Sequence, residues 1–180
     1  MIINIRNEQY QKLTTLCSQS KLEQNGLIRL QILNGEVSFL DYYESNGDEI
    51  IERTKNHIVY GDKDFIGYQM MTTLLFDPSK EIWVNYHTHP GLLSVNGLSE
   101  ADIEVLKYRT YLKNKVYKEK FKIEPPIQID AIITEDEVGF YSIIDDKVIK
   151  HNLLIDGREI KCVKNIYTKV LKRMLKRITK

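Results

Sequence analysis

Apolar residues recur at helical spacing in four parts of the chain, and strand-like stretches separate these parts. Residues 7–22 place apolar side chains three to four positions apart, which predicts a first helix. The same spacing predicts a second helix over residues 64–76 and a third over residues 99–120. A fourth helix, with a basic face, is predicted over residues 158–180.

Strand signals fill the segments between these helices. Residues 27–33 and 36–43 are rich in β-forming side chains and flank Asn34-Gly35, which predicts a hairpin. Residues 81–89 alternate with period two until Pro90, which has no backbone N–H to continue a ladder. Further strands are predicted over residues 57–60, 127–134, 138–144 and 147–155.

Alternating helices and strands predict an α/β or α+β domain in which helices flank a mixed sheet. A chain of 180 residues fits one such domain. We expect residues 1–157 to form its body. Residues 158–180 hold nine Lys or Arg against one Glu. We interpret this segment as a basic amphipathic helix in the same domain or docked on it, and a surface for an acidic partner, nucleic acid or membrane is the alternative.

The chain shows no signal for export or for a disulfide framework. Its first residues lack the basic start and continuous apolar stretch of a secretory signal, and no apolar run approaches the length of a membrane span. Cys17 and Cys162 stand far apart and form no CxxC motif. We therefore expect a cytoplasmic protein with reduced cysteines.

His87 and His89 form the clearest candidate for chemistry. Side chains at positions i and i+2 of a strand share one face, so the two imidazoles can converge on one Zn²⁺ ion. Asp102, at the start of a predicted helix, can supply a third ligand. Two alternatives stand beside this hypothesis: an HxH pair in a strand is more often structural, and Ser99 followed by Asp102 is also typical of a helix N-cap.

The run His87-Thr88-His89-Pro90 with the later Ser99-x-x-Asp102 resembles the signature of the JAMM, or MPN+, metalloproteases. Residues 23–28, EQNGLI, resemble the family's upstream E-x-x-G-L-φ run, where φ is apolar. The resemblance implies a cytidine-deaminase-like JAMM/MPN architecture with a mostly antiparallel sheet.

The same resemblance assigns a role to each site residue. His87, His89 and Asp102 would be zinc ligands, Glu23 the general base, and Ser99 a donor to the developing oxyanion. Glu36 and Glu44 are the nearest rival carboxylates for the role of the base.

The implied function is that of a prokaryotic JAB-domain isopeptidase. It would hydrolyse the amide bond after the C-terminal glycine of a ubiquitin-like protein, with E1- and E2-like enzymes encoded nearby. The alternatives are a peptidase acting on a sulfur-carrier protein or small peptide, and a non-catalytic MPN-type scaffold. A role on nucleic acid rests on the basic C-terminal segment alone, and we do not expect it.

Overall fold

The structure is a computed structural model. The helix predicted over residues 64–76 and all but the first two residues of the basic segment 158–180 lie outside the part that it describes. The described residues are 1–44, 50–53, 58–60, 77, 79–91 and 98–159.

Two α-helices occur among these residues. The first, α1 (Asn7–Gln19), confirms the first predicted helix but ends three residues early, because Ser20 is extended (φ −137°, ψ 142°). The second, α2 (Glu100–Val116), confirms the third and continues as a π-helical segment, Tyr117–Phe121. Neither described helix has the length and apolar character needed to cross a membrane.

Ten strands are described, and most lie where the sequence predicts them. The predicted hairpin turn is confirmed, because Asn34 and Gly35 both have positive φ (53° and 82°), as a tight primed turn requires. The strands are β1 (Ile2–Ile5), β2 (Asn25–Leu33), β3 (Glu36–Glu44), β4 (Ile50–Arg53), β5 (Ile58–Tyr60), β6 (Glu81–Thr88), β7 (Asp130–Ile133), β8 (Val138–Ile144), β9 (Lys147–Ile155) and β10 (Arg158–Glu159).

The expected helix-flanked α/β or α+β fold with JAMM/MPN architecture is wrong for this chain. Seven strands pair in the order β1-β3-β2-β6-β7-β8-β9, and β9 pairs with β1 again, so the sheet closes on itself as a barrel. The described chain is mostly sheet, with two α-helices. Strand β10 extends β9, and β4 pairs with β5 in a separate two-stranded sheet.

Strand β1 closes the sheet and was not predicted. Its four residues, IINI, pair in parallel with β3 on one side and with β9 on the other. So short a strand carries almost no periodic signal of its own. Its partners are distant in sequence, as Ile3 pairs with both Val37 and Leu153. Closure removes the free edges that a helix-flanked open sheet would keep.

The main hydrophobic core lies between the sheet and α1. Alternate residues of β2 and β6 point into it, among them Ile28, Leu30, Val84 and Tyr86. Helix α1 adds Tyr10, Leu13, Leu16 and Cys17, the apolar face recognised in the sequence. The intervening residues of β6, including His87, lie on the opposite face of the strand.

Strand β6 lies between β2 and β7. It is antiparallel to β2, with His87 opposite Asn25, and parallel to β7, with His87 beside Ile132. Both neighbours pair with β6 up to its last residues. The predicted ligands His87 and His89 therefore lie at the end of a strand that is hydrogen-bonded on both sides.

Candidate metal centre

The two histidines of the HxHP run converge as the strand spacing predicts. The Nε2 atoms of His87 and His89 are 2.9 Å apart, and the rings are tilted by 46° with centroids 4.9 Å apart. The His89 N–H donates to the carbonyl of Ile133 at 2.8 Å, so the backbone stays paired with β7 to the end of the run. Both imidazoles are only about one fifth exposed, 22% and 21% of their side chains.

Asp102 reaches this pair from the first turn of α2. Its Oδ1 lies 3.0 Å from His87 Nε2, and its Oδ2 lies 4.0 Å from His89 Nε2. Ser99 is the N-cap: it accepts from the Asp102 N–H at 3.2 Å, and its own N–H donates to Asp102 Oδ2 at 2.9 Å. The Ser99 hydroxyl also donates to Oδ2, at 2.6 Å. Asp102 thus caps the helix with Oδ2 and faces His87 with Oδ1.

The donor atoms fit a zinc ion in spacing and type. The three residues offer two imidazole nitrogens and a carboxylate oxygen, all within 4.8 Å of one another. Ligand bonds of about 2.0–2.2 Å in a tetrahedral site place donor atoms roughly 3.3 Å apart. The two Nε2 atoms are 2.9 Å apart and Asp102 Oδ1 is 3.0 Å from His87 Nε2, while His89 Nε2 lies 4.0 Å from the carboxylate, at Oδ2.

The protonation states of these groups also suit metal binding. Burial would raise the pKa of Asp102, but hydrogen bonds from His87 and Ser99 hold that pKa below its usual value. Burial and the neighbouring His87 lower the pKa of His89, and Asp102 opposes that effect only in part. The site therefore favours an ionised carboxylate and a neutral His89, the forms that ligate zinc.

Glu23 lies two residues before β2, in the segment that leads into this strand. Gln24 extends the pairing with β6 by one residue, because its N–H donates to Thr88 Oγ1 at 2.8 Å and its carbonyl accepts from the Thr88 N–H at 2.8 Å. One further step in the same register would bring Glu23 opposite His89. Glu23 is 3% exposed.

The rival carboxylates lie on β3, Glu36 at the far end of the hairpin and Glu44 at the same end of the sheet as Glu23. Glu36 pairs with Leu33 at the hairpin end of β2, and Glu44 pairs with Gly26. Both side chains are exposed, as expected for solvated charges. Of the three candidates for a base, Glu23 is the buried one.

Asn25 is a site residue that sequence reasoning missed. It pairs directly with His87 and is 6% exposed, and its Oδ1 has no hydrogen-bond partner among the described residues. A buried, unsatisfied acceptor beside a metal-ligand candidate is unusual in a folded protein. The sequence held one signal for it: Asn25 stands two residues after Glu23, inside the E-x-x-G-L-φ run.

The protein thus combines a closed, seven-stranded mixed sheet with a His-His-Asp cluster at the end of β6. No protein-family model matches the chain, and no curated protein does. Among solved structures, the chain is similar to the protein DSY2949 from Desulfitobacterium hafniense. The TM-score is 0.51 at 15% identity, over 85% of this chain and 92% of that chain. At this identity the likeness shows a shared fold alone.

Proposed function

We propose that the protein is a zinc-dependent metallopeptidase that hydrolyses an amide bond at the His87, His89 and Asp102 cluster. The single observation that carries this proposal is the convergence of these three side chains from two separate elements, β6 and α2. Two imidazoles and one carboxylate are a common zinc ligand set in catalytic sites, where a fourth position stays open. The proposal rests on this cluster and on the resemblance of the motif, not on the architecture of the sheet.

Each residue then has a defined task. His87, His89 and Asp102 would hold the ion. When bound, zinc would act as a Lewis acid and lower the pKa of a coordinated water to about 7. Glu23 would accept the proton from the attacking water and return it to the leaving amine. Its burial, at 3% exposure, and its place in the E-x-x-G-L-φ run support this role.

The hydroxyl of Ser99 would stabilise the developing oxyanion. This hydroxyl donates to Asp102 Oδ2 at 2.6 Å. It would have to turn toward the substrate to donate there, and Asp102 would keep the backbone N–H of Ser99 as its donor. The N-cap thus offers a donor close to the ion that can be released when the charge develops.

We propose a ubiquitin-like protein as the substrate, cleaved after its C-terminal glycine. This part of the proposal comes from the JAMM-like motif, and a sulfur-carrier protein or a small peptide has the same scissile amide chemistry. E1- and E2-like enzymes encoded nearby would be the partners of such an isopeptidase. A cytoplasmic location, expected from the sequence, completes the proposal.

Zinc content and hydrolysis test the proposal together. Purified protein is expected to hold about one zinc ion per chain and to cleave fusions of a ubiquitin-like modifier to a C-terminal reporter. Glu23→Gln is expected to keep the zinc and lose at least about 100-fold in kcat, because it removes only the base. Glu36→Gln, on the exposed end of β3, is the matched control and is expected to retain activity.

Two outcomes would contradict the proposal. Protein with no zinc and no affinity for zinc would favour a non-catalytic scaffold. Cleavage that survives both a chelator and Glu23→Gln would remove the mechanism. Cleavage of a sulfur-carrier fusion or a short peptide in place of the modifier fusion would keep the chemistry and change the substrate.

A further inference from the structure

The inner face of α2 carries four residues at helical spacing, and each contacts a different point on the sheet. We call these residues the α2 stripe: Asp102, Leu106, Arg109 and Lys113. Asp102 faces His87 of β6, Leu106 packs with Ile132 and Tyr141, Arg109 pairs with Asp130, and Lys113 donates to the Ile127 carbonyl at 3.2 Å. The stripe therefore runs antiparallel to β7.

Hydrophobic contact alone fixes this helix weakly. Leu106 and Arg109 are the only fully buried residues of α2, so the helix has one fully buried apolar anchor. Apolar burial is non-directional and permits a helix to slide or rotate on a sheet. A directional contact must therefore hold the helix in register.

The Arg109–Asp130 ion pair supplies that contact. Arg109 is 8% exposed and Asp130 is 5% exposed, and Arg109 Nη1 donates to Asp130 Oδ2. The other carboxylate oxygen, Oδ1, accepts from Gln128 Nε2 at 2.7 Å, which fixes the orientation of the carboxylate. A buried, hydrogen-bonded ion pair holds its partners in one arrangement because any other leaves a desolvated charge unpaired.

The geometry connects this pair to the metal-ligand candidates. Asp130 lies beside Asn85 of β6, two residues before His87. Arg109 follows Asp102 by seven residues, which is two helical turns or about 10.5 Å along the same face. A slip of the helix by one residue would move Asp102 by about 1.5 Å and 100° of rotation, out of its 3.0 Å contact with His87.

We propose that Arg109 and Asp130 are positioning residues that hold Asp102 in place as the third metal ligand. This inference rests on the proposed metal site. It predicts that the ion pair sets metal affinity and coordination, beyond any contribution to stability.

The test compares metal binding by folded variants. The double variant Arg109→Met with Asp130→Leu replaces the pair by apolar side chains of similar size. Such a replacement of a buried ion pair often leaves the stability of a protein unchanged or raises it. Asp130→Glu keeps both charges but lengthens one side by a methylene, so it displaces α2 without unpairing a charge. Leu13→Ala, in the core of α1, is the control for a loss of stability that does not touch α2.

Competition with a chelating dye gives the Zn²⁺ affinity of each variant, and Co²⁺ absorption reports the ligand set. Both Arg109–Asp130 variants are expected to bind Zn²⁺ about tenfold or more weakly, and their Co²⁺ spectra to approach that of Asp102→Ala. Leu13→Ala is expected to stay within about twofold of the wild type and to keep its spectrum.

The outcomes separate this inference from the proposed function. Wild-type protein that binds no metal overturns both. Wild-type protein that binds zinc, with an unchanged affinity and spectrum in Asp130→Glu or in the folded double variant, overturns the positioning role alone. An equal loss of affinity in Leu13→Ala also overturns it, because affinity would then follow global stability.

Discussion

Replacing Asp102 with asparagine separates the two tasks that this side chain performs. Asparagine can still accept the Ser99 backbone N–H, now bonded at 2.9 Å, so the helix cap is retained. It loses the charge that faces His87 at 3.0 Å and that would ligate zinc. In metal-free protein we expect a loss of about 2 kcal/mol in the free energy of unfolding, the size of one hydrogen bond to a charged group.

The effect with zinc is expected to be larger. Zinc at 100 times its dissociation constant stabilises the wild type by about 2.7 kcal/mol. Loss of the only anionic ligand is expected to weaken binding about 100-fold, which leaves about 0.4 kcal/mol at the same zinc concentration. The difference of about 2.3 kcal/mol corresponds to roughly 5–9 °C in Tm for a chain of this size.

Thermal unfolding with and without zinc measures this difference directly. Glu100→Gln is the matched control, since Glu100 is an exposed acidic residue in the same first turn of α2. It is expected to show the full zinc-induced shift. If zinc raises the Tm of Asp102→Asn as much as that of the wild type, Asp102 is not a ligand, and its contact with His87 serves only to dock the helix.

Two further predictions concern basic side chains outside the cluster. Burial, with repulsion from the N-terminal amine, lowers the pKa of His151 from 6.5 to about 4, so stability is present above pH 6.5 and is lost as the pH falls toward 4. Chemical denaturation is expected to show that the free energy of unfolding of the wild type falls by about 1–2 kcal/mol between pH 7 and pH 5. The fall is expected to be smaller in His151→Leu, and an equal fall in both proteins would refute the prediction. Burial lowers the pKa of Lys113 to about 8, although Asp130 opposes the shift, so stability rises with pH between about 8 and 10.5. Lys113→Met is expected to raise the free energy of unfolding by about 1 kcal/mol at pH 7 and by less at pH 10, and a gain that stays constant with pH would contradict the assignment.

Helices and strands were predictable from the sequence where the element is long enough for its hydrophobic pattern to repeat. The apolar face of α1, the Asn34-Gly35 hairpin and the alternation of β6 each involve neighbours in sequence, and the structure confirms all three. Their boundaries were less predictable: β7 begins at Asp130, three residues later than the pattern indicates. The preceding residues 127–129 are apolar enough to read as strand but form no ladder.

The closed sheet was not predictable in the same way. It depends on β1, four residues long, and on parallel pairing with β9 about 150 residues away. Pairing across so long a loop costs entropy that contacts elsewhere in the folded sheet must offset. Nothing in the local pattern of IINI marks it as the strand that turns an open sheet into a closed one.

The sequence by itself determined the types of donor atom in the candidate site and the local geometry within β6 and within the first turn of α2. His87 and His89 share a face because strand side chains alternate, and Ser99 caps a helix because its side chain can accept a backbone N–H. Whether Asp102 caps that helix or faces the histidines could not be decided from spacing, and the structure shows one oxygen in each role. Tertiary structure alone brings α2 to β6, through contacts such as Arg109–Asp130 between residues 21 positions apart. The periodicity of the sequence specifies on which face of a helix or strand a side chain lies. Only tertiary packing specifies which residues of other elements that face contacts.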